Sequence, residues 1–155
     1  MQKKFVTNLG LVLLLNLLIK PYWIFGIDRN VQLIVGTEQY GFYYAIFSFS
    51  FLLNILLDFG ITNFNNKNIS QNNHLLSKHL SSIIVLRIML ALVFAIITFL
   101  AGLIVQYNSD MLKMLIAVIF NQILLGFILY LRSNLAGMHL FKTDSIVSVL
   151  DRLIM

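Results

Sequence analysis

The chain has no cysteine, a single proline and few charges, with Asp, Glu, Lys and Arg making up 11% of its 155 residues. Without cysteine there are no disulfides, no thiolate metal sites and no cysteine nucleophile, and the redox compartment is left open. One proline and eight glycines leave no composition for a flexible linker. The scarcity of charge is the most restrictive absence, because soluble domains carry about 25% charged residues, whereas here 59% hydrophobic residues stand against that 11%. With a mean hydropathy of +0.89, a water-soluble fold of this length has too little interior to cover the apolar surface.

Long apolar stretches take the place of what is missing. Spans are expected over about 5–27, 39–64, 81–106 and 111–131, each near the roughly 20 residues that carry a helix across about 30 Å of hydrocarbon. The expected fold class is therefore all-α, a polytopic transmembrane helix bundle with the lipid bilayer as its solvent. Residues 144–155 begin a further apolar pattern interrupted by Asp151 and Arg152. That incomplete fifth helix either lies along the interface or opens the rest of a longer protein, and the second expectation is preferred.

Orientation follows from lysine and arginine, which short cytoplasmic loops retain. Lys3 and Lys4 precede the first span, Lys67 and Lys78 follow the second, and Arg132 and Lys142 follow the fourth, while the alternate connections are poorer in positive charge. This predicts a cytoplasmic N-terminus. The apolar start is not read as a cleaved signal peptide, because no small-x-small site follows and Pro21-Tyr22-Trp23 continues the run. The net charge of +5 is dispersed among helix ends and no basic run interleaves with aromatics, which argues against a nucleic-acid partner.

Polar residues inside the spans are the candidates for function, since each is costly in hydrocarbon. Ser50, Asn54, Asp58 and Thr62 recur every four residues, which gathers them on one face of a helix. That face either lines a translocation path or hydrogen-bonds a neighbouring helix. Asp58 and Arg87 fall near the same end of adjacent antiparallel spans, so they either form an ion pair, or Arg87 reaches the head groups, or the two touch a substrate. Lys20 precedes the one proline, whose missing N–H frees helix carbonyls and breaks the span, as at many transporter binding sites. Lys20 thus offers a cation inside the bundle or reaches the outer head groups, and Asp28 and Arg29 join it if the helix extends to about Val35.

Asn8, Asn16, Asn121 and Gln122 read as interhelical contacts. The segment 63–73, with its six asparagines, reads as a polar cytoplasmic loop. Asn68-Ile69-Ser70 has the form of a glycosylation acceptor but lies in that loop. His74, His79 and His139 are dispersed, so no metal site and no cofactor is expected. There is no Gly-rich phosphate loop, no G-x-S-x-G and no carboxylate pair, so no catalytic residue and no enzyme activity is expected.

The motif Gly36-Thr37-Glu38-Gln39-Tyr40-Gly41-Phe42-Tyr43, followed by Leu57-Asp58-Phe59-Gly60-Ile61, resembles a pattern of the polysaccharide flippases. These are the Wzx-like O-antigen and lipopolysaccharide exporters of the MATE-like superfamily. Arg132-Ser133-Asn134, Phe141-Lys142-Thr143-Asp144-Ser145 and Leu150-Asp151-Arg152-Leu153 are similar to their connection into the fifth helix, so the resemblance covers essentially the whole chain. Many members carry an arginine three residues before the first glycine; here that position is Leu33.

The resemblance implies the N-terminal part of a MATE-like lobe in a bacterial plasma (inner) membrane. It implies a cargo of lipid-linked oligosaccharide, whose anionic pyrophosphate moves between leaflets, and glycan polymerase or glycosyltransferase partners. Lys20, Arg29 and Arg87 are then the candidate cations of the substrate path, with Asn54 beside it and Asp58 orienting one of them. The alternatives are a MATE-type multidrug exporter, which the excess of basic over acidic charge in the spans disfavours, and a non-transporting membrane scaffold for glycan assembly.

Overall fold

The computed structural model describes residue 10 and residues 17–72 and 76–154. Much of the expected first span, with Lys3, Lys4, Asn8 and Asn16, lies outside the described residues, as does His74. All regular structure among the described residues is helical. The chain divides into two compact units, one made of Met1–Tyr40 with His139–Met155 and the other of Gly41–Met138.

The first unit opens with helix α1, residues 17–35, which does not run as a regular α-helix. After Pro21 it widens into a π-helical segment, Trp23–Asp28, before closing again over Arg29–Val35. Proline cannot donate to the carbonyl one turn back, and a wider turn is a usual way to accommodate that loss. Asn30 adds a side-chain donor, its Nδ2 bonding the Gly26 carbonyl at 2.5 Å. Gly36, at φ 89°, ends α1 in a region of backbone space that residues with a Cβ avoid. Helix α2, Thr37–Leu52, starts at once, and Tyr40 Oη donates back across the break to Asp28 Oδ1. The extension of α1 to Val35 places Asp28 and Arg29 on the same helix as Lys20. The segment expected to be an incomplete fifth helix forms a 14-residue helix, α6, Phe141–Ile154.

The second unit contains the rest of α2, a 3₁₀ turn over Leu53–Leu57, and helices α3 (Ile61–Gln71), α4 (Leu76–Ile104) and α5 (Ser109–Gly137). The second expected span, over 39–64, is therefore not one helix: it breaks at Asp58-Phe59-Gly60. The asparagine-rich segment is helical as far as Gln71 rather than a loop, and Asn65 and Ile69, one turn apart, both bury themselves. α4 and α5 form an antiparallel hairpin whose inner rows hold Ala91, Phe94, Leu115, Val118 and Ile119. Ile46 and Leu57 close this core from the α2 side.

Among the described residues, three helical stretches are long and apolar enough to cross a membrane, Thr37–Leu57, Leu80–Ile104 and Ser109–Gly137, yet only 17%, 22% and 28% of their apolar windows is buried. The outward rows, such as Leu86, Met89, Val93, Ile96 and Leu100 on α4, are exposed. In water that surface would be prohibitive; against acyl chains it is the expected exterior. The helices fit a membrane protein.

Glycines decide how closely the helices approach. A Cβ on Gly137 would sit 3.1 Å from the Asn66 carbonyl oxygen and 3.1 Å from the Ile69 Cβ, so α3 and α5 touch there, as small residues allow between membrane helices. A Cβ on Gly126 would meet nothing nearer than 3.9 Å. Gly137→Ala is expected to destabilise the unit by about 1–3 kcal/mol, because one of the crowded atoms is fixed backbone. Gly126→Ala is expected to be neutral or stabilising. Thermal unfolding of the two variants in detergent checks the contrast.

Candidate functional site

The break after the 3₁₀ turn organises the polar interior of the second unit. Asp58 has φ −128°, and the chain then passes through Phe59 at φ 44° and Gly60 at φ 81° before α3 begins. Gly60 takes the left-handed conformation freely, whereas for Phe59 the same region is strained. The Asp58 side chain, spared from continuing a helix, caps the one that follows. Its Oδ1 accepts from the Thr62 backbone N–H at 3.1 Å and from Thr62 Oγ1 at 2.5 Å. A carboxylate at that place also meets the positive end of the α3 dipole.

Arg87 reaches this carboxylate from α4. Its Nη2 donates to Asp58 Oδ1 and to Thr62 Oγ1, and its Nη1 donates to the Gly126 carbonyl on α5 at 2.7 Å. The guanidinium carbon stands 4.7 Å from the centroid of the Tyr130 ring, within cation–π range. One side chain thus ties together the α2–α3 break, α4 and α5. The two partners are unequally buried, with 4% of the Arg87 side chain exposed against 35% of the Asp58 side chain. The structure realises the ion pair. It leaves the guanidinium committed to internal partners, so Arg87 holds the unit together and does not present its charge outward.

The residues singled out from the sequence separate into two groups. Asp58 and Arg87 come together, and Asn54 lies one turn earlier in the 3₁₀ segment, half-buried. Lys20 and Arg29 belong to the other unit, where both are exposed on α1. The four-residue repeat of Ser50, Asn54, Asp58 and Thr62 is not one helix face, since the chain changes helix type at Leu53 and breaks at Asp58. Ser50 is fully buried, while Thr62 joins the Asp58 cap.

A second polar contact escaped sequence reading. Asn65 Nδ2 donates to Asn134 Oδ1 at 2.5 Å, and both residues are buried. The available signal was the spacing of Ile61, Asn65 and Ile69 within the asparagine-rich segment, which marks one face of a helix. The neighbouring Ser133 satisfies its hydroxyl on the Tyr130 carbonyl at 2.7 Å. No group of three or more His, Asp or Glu residues able to hold a metal occurs among the described residues.

Asp58→Leu is expected to cost about 3–5 kcal/mol of stability, because it strands a buried guanidinium. Arg87→Met is expected to cost less, since the remaining carboxylate keeps its Thr62 donors and is partly exposed. The double variant is expected to recover most of the loss. A cycle of unfolding midpoints in lipid nanodiscs measures all three; equal losses from the two single variants would contradict the asymmetry.

With this geometry in place, comparison with known proteins gives one result: a family model described as "Polysaccharide biosynthesis protein" matches residues 30–155. No curated protein and no solved structure matches the chain.

Proposed function

The chain belongs to the polysaccharide biosynthesis protein family, and from that premise we propose that it acts as a flippase for lipid-linked oligosaccharide. On this reading it works in a bacterial plasma membrane, as part of a MATE-like transporter, with its N-terminus in the cytoplasm. The observation that carries the proposal is the combination of family membership with spans that hold buried and half-buried polar groups inside an apolar exterior. Hydrocarbon tolerates such groups where they serve packing or a transport path.

Arg87 is occupied by Asp58, Thr62 and Gly126, so the cationic contacts to an anionic cargo fall to Lys20 and Arg29, which are exposed. Both stand beside the π-helical segment that follows Pro21. A pyrophosphate in a poorly hydrated chamber interacts strongly with such cations. Arg87 and Asp58 position the helices, and Asn54 borders them.

One observation favours a second reading, a non-transporting scaffold for glycan assembly: polar side chains of the second unit such as Ser50, Arg87, Thr98 and Gln122 are buried in its packed interior. Transport itself separates the two. Proteoliposomes containing the protein and a short-chain pyrophosphate-linked oligosaccharide are expected to expose the cargo on the opposite leaflet. Lys20→Gln and Arg29→Gln are each expected to slow transport about tenfold, as loss of one charge-assisted hydrogen bond would. Protein-dependent flipping that neither substitution slows would remove Lys20 and Arg29 from the path. Absence of any flipping by folded protein would favour the scaffold.

Orientation has a separate check. The lack of native cysteine lets a single cysteine at Lys67 or Ser109 be labelled without background, and only the first is expected to react from the cytoplasm.

A further inference from the structure

Among the described residues of the second unit, five side-chain polar atoms are buried without a hydrogen-bond partner: Thr98 Oγ1, Ser50 Oγ, Gln122 Nε2, Arg87 Nε and Tyr130 Oη. Their residues are between 0% and 4% exposed. Each such orphan costs about 1–3 kcal/mol, so together they rival the roughly 5–15 kcal/mol that holds an ordinary domain folded. Something must satisfy them.

They are spread along the helices at several levels. The Arg87–Gly126 contact sets the register of the α4–α5 hairpin, and the approach of Gly102 to Leu115 fixes its other end. From that level, at about 1.5 Å per helical residue, Tyr130 lies roughly 6 Å to one side, toward the chain break. Gln122 lies about 6 Å to the other side and Thr98 about 16 Å. Ser50, counted back from Asp58 through the steeper 3₁₀ turn, falls at about 14 Å. All belong to the inward rows, interleaved with Ala91, Phe94 and Ile119. The steps are those that one or two water molecules bridge, since two hydrogen bonds in series span about 5.5–6 Å.

We propose that the seam between α2, α4 and α5 holds a file of internal water molecules, bound by Thr98, Ser50, Gln122, Arg87 and Tyr130, that ends at the half-exposed Asp58 carboxylate. A neighbouring helix or a lipid head group cannot reach side chains this buried. Serine and threonine hydroxyls can turn onto a carbonyl of their own helix, but that route is closed to the Gln122 amide, the Arg87 Nε–H and the Tyr130 hydroxyl. Water offers both a donor and an acceptor to each group. The inference does not depend on what the protein carries.

Water-edited solid-state NMR on the whole protein in bilayers tests it. Magnetisation from water is expected to reach Gln122 Nε2 and Thr98 within twofold of the time it needs to reach Arg87 Nε. It is expected to reach them at least fivefold faster than the mid-span backbone amides of Val93 and Ile96. Transfer to Gln122 no faster than to those amides means a dry seam and overturns the proposal. Gln122→Leu supplies a second reading: a continuous file predicts that transfer to Ser50 and Thr98 falls by at least half while Arg87 keeps its signal. Undiminished transfer to Ser50 and Thr98 overturns continuity.

Discussion

The second unit depends on one ion pair placed where water is scarce. A guanidinium in hydrocarbon is tolerated only when its charge is matched and its donors are used, and Arg87 matches its charge and both terminal nitrogens by drawing on Asp58, Thr62 and the Gly126 carbonyl together, which leaves Nε alone without a protein partner. The requirement works backward onto the chain. Asp58 can offer Oδ1 because the backbone stops being helical there, and the backbone stops because Gly60 accepts a left-handed conformation. The break, the cap on α3 and the joining of α4 to α5 are one solution to one electrostatic problem.

Much of this could be read from the residues alone, for identifiable reasons. The spans declare themselves because hydrocarbon penalises charge over twenty residues at a time, a signal too long to be hidden by local detail. The partnership of Asp58 with Arg87 was legible because charges are rare in these spans and two of opposite sign fall at similar depth. The 3₁₀ turn was not legible: Leu53-Asn54-Ile55-Leu56-Leu57 has no breaker within it, and the distortion is inherited from the turn that follows. The helix Ile61–Gln71 was hidden for a different reason. Asparagine favours loops by competing for backbone groups, and only the tertiary bond from Asn65 to Asn134, with the close seat at Gly137, overrides that preference.

The two units use polar residues differently. In the second, Arg87 bonds across helices to Asp58, Thr62 and Gly126, and Asn65 to Asn134, as polar residues do between membrane helices. In the first, Lys20 and Arg29 are exposed on a helix that Pro21 has widened. For the proposed transport of an anionic lipid-linked glycan, this is a division of labour between residues that hold a fixed frame and residues that meet the cargo. Of the alternatives open for Arg87, the ion pair with Asp58 is the one the structure realises.

The tight link between α4 and α5 bears on how the protein enters its membrane. Val105, Gln106 and Tyr107 return their backbone N–H groups to carbonyls of Ala101, Leu103 and Gly102. Asn108 then receives the Met111 N–H at 3.0 Å. Backbone groups bonded in this way cost less to bring against lipid than free ones. The connection is therefore cheaper to carry into the membrane than an open loop of the same length would be.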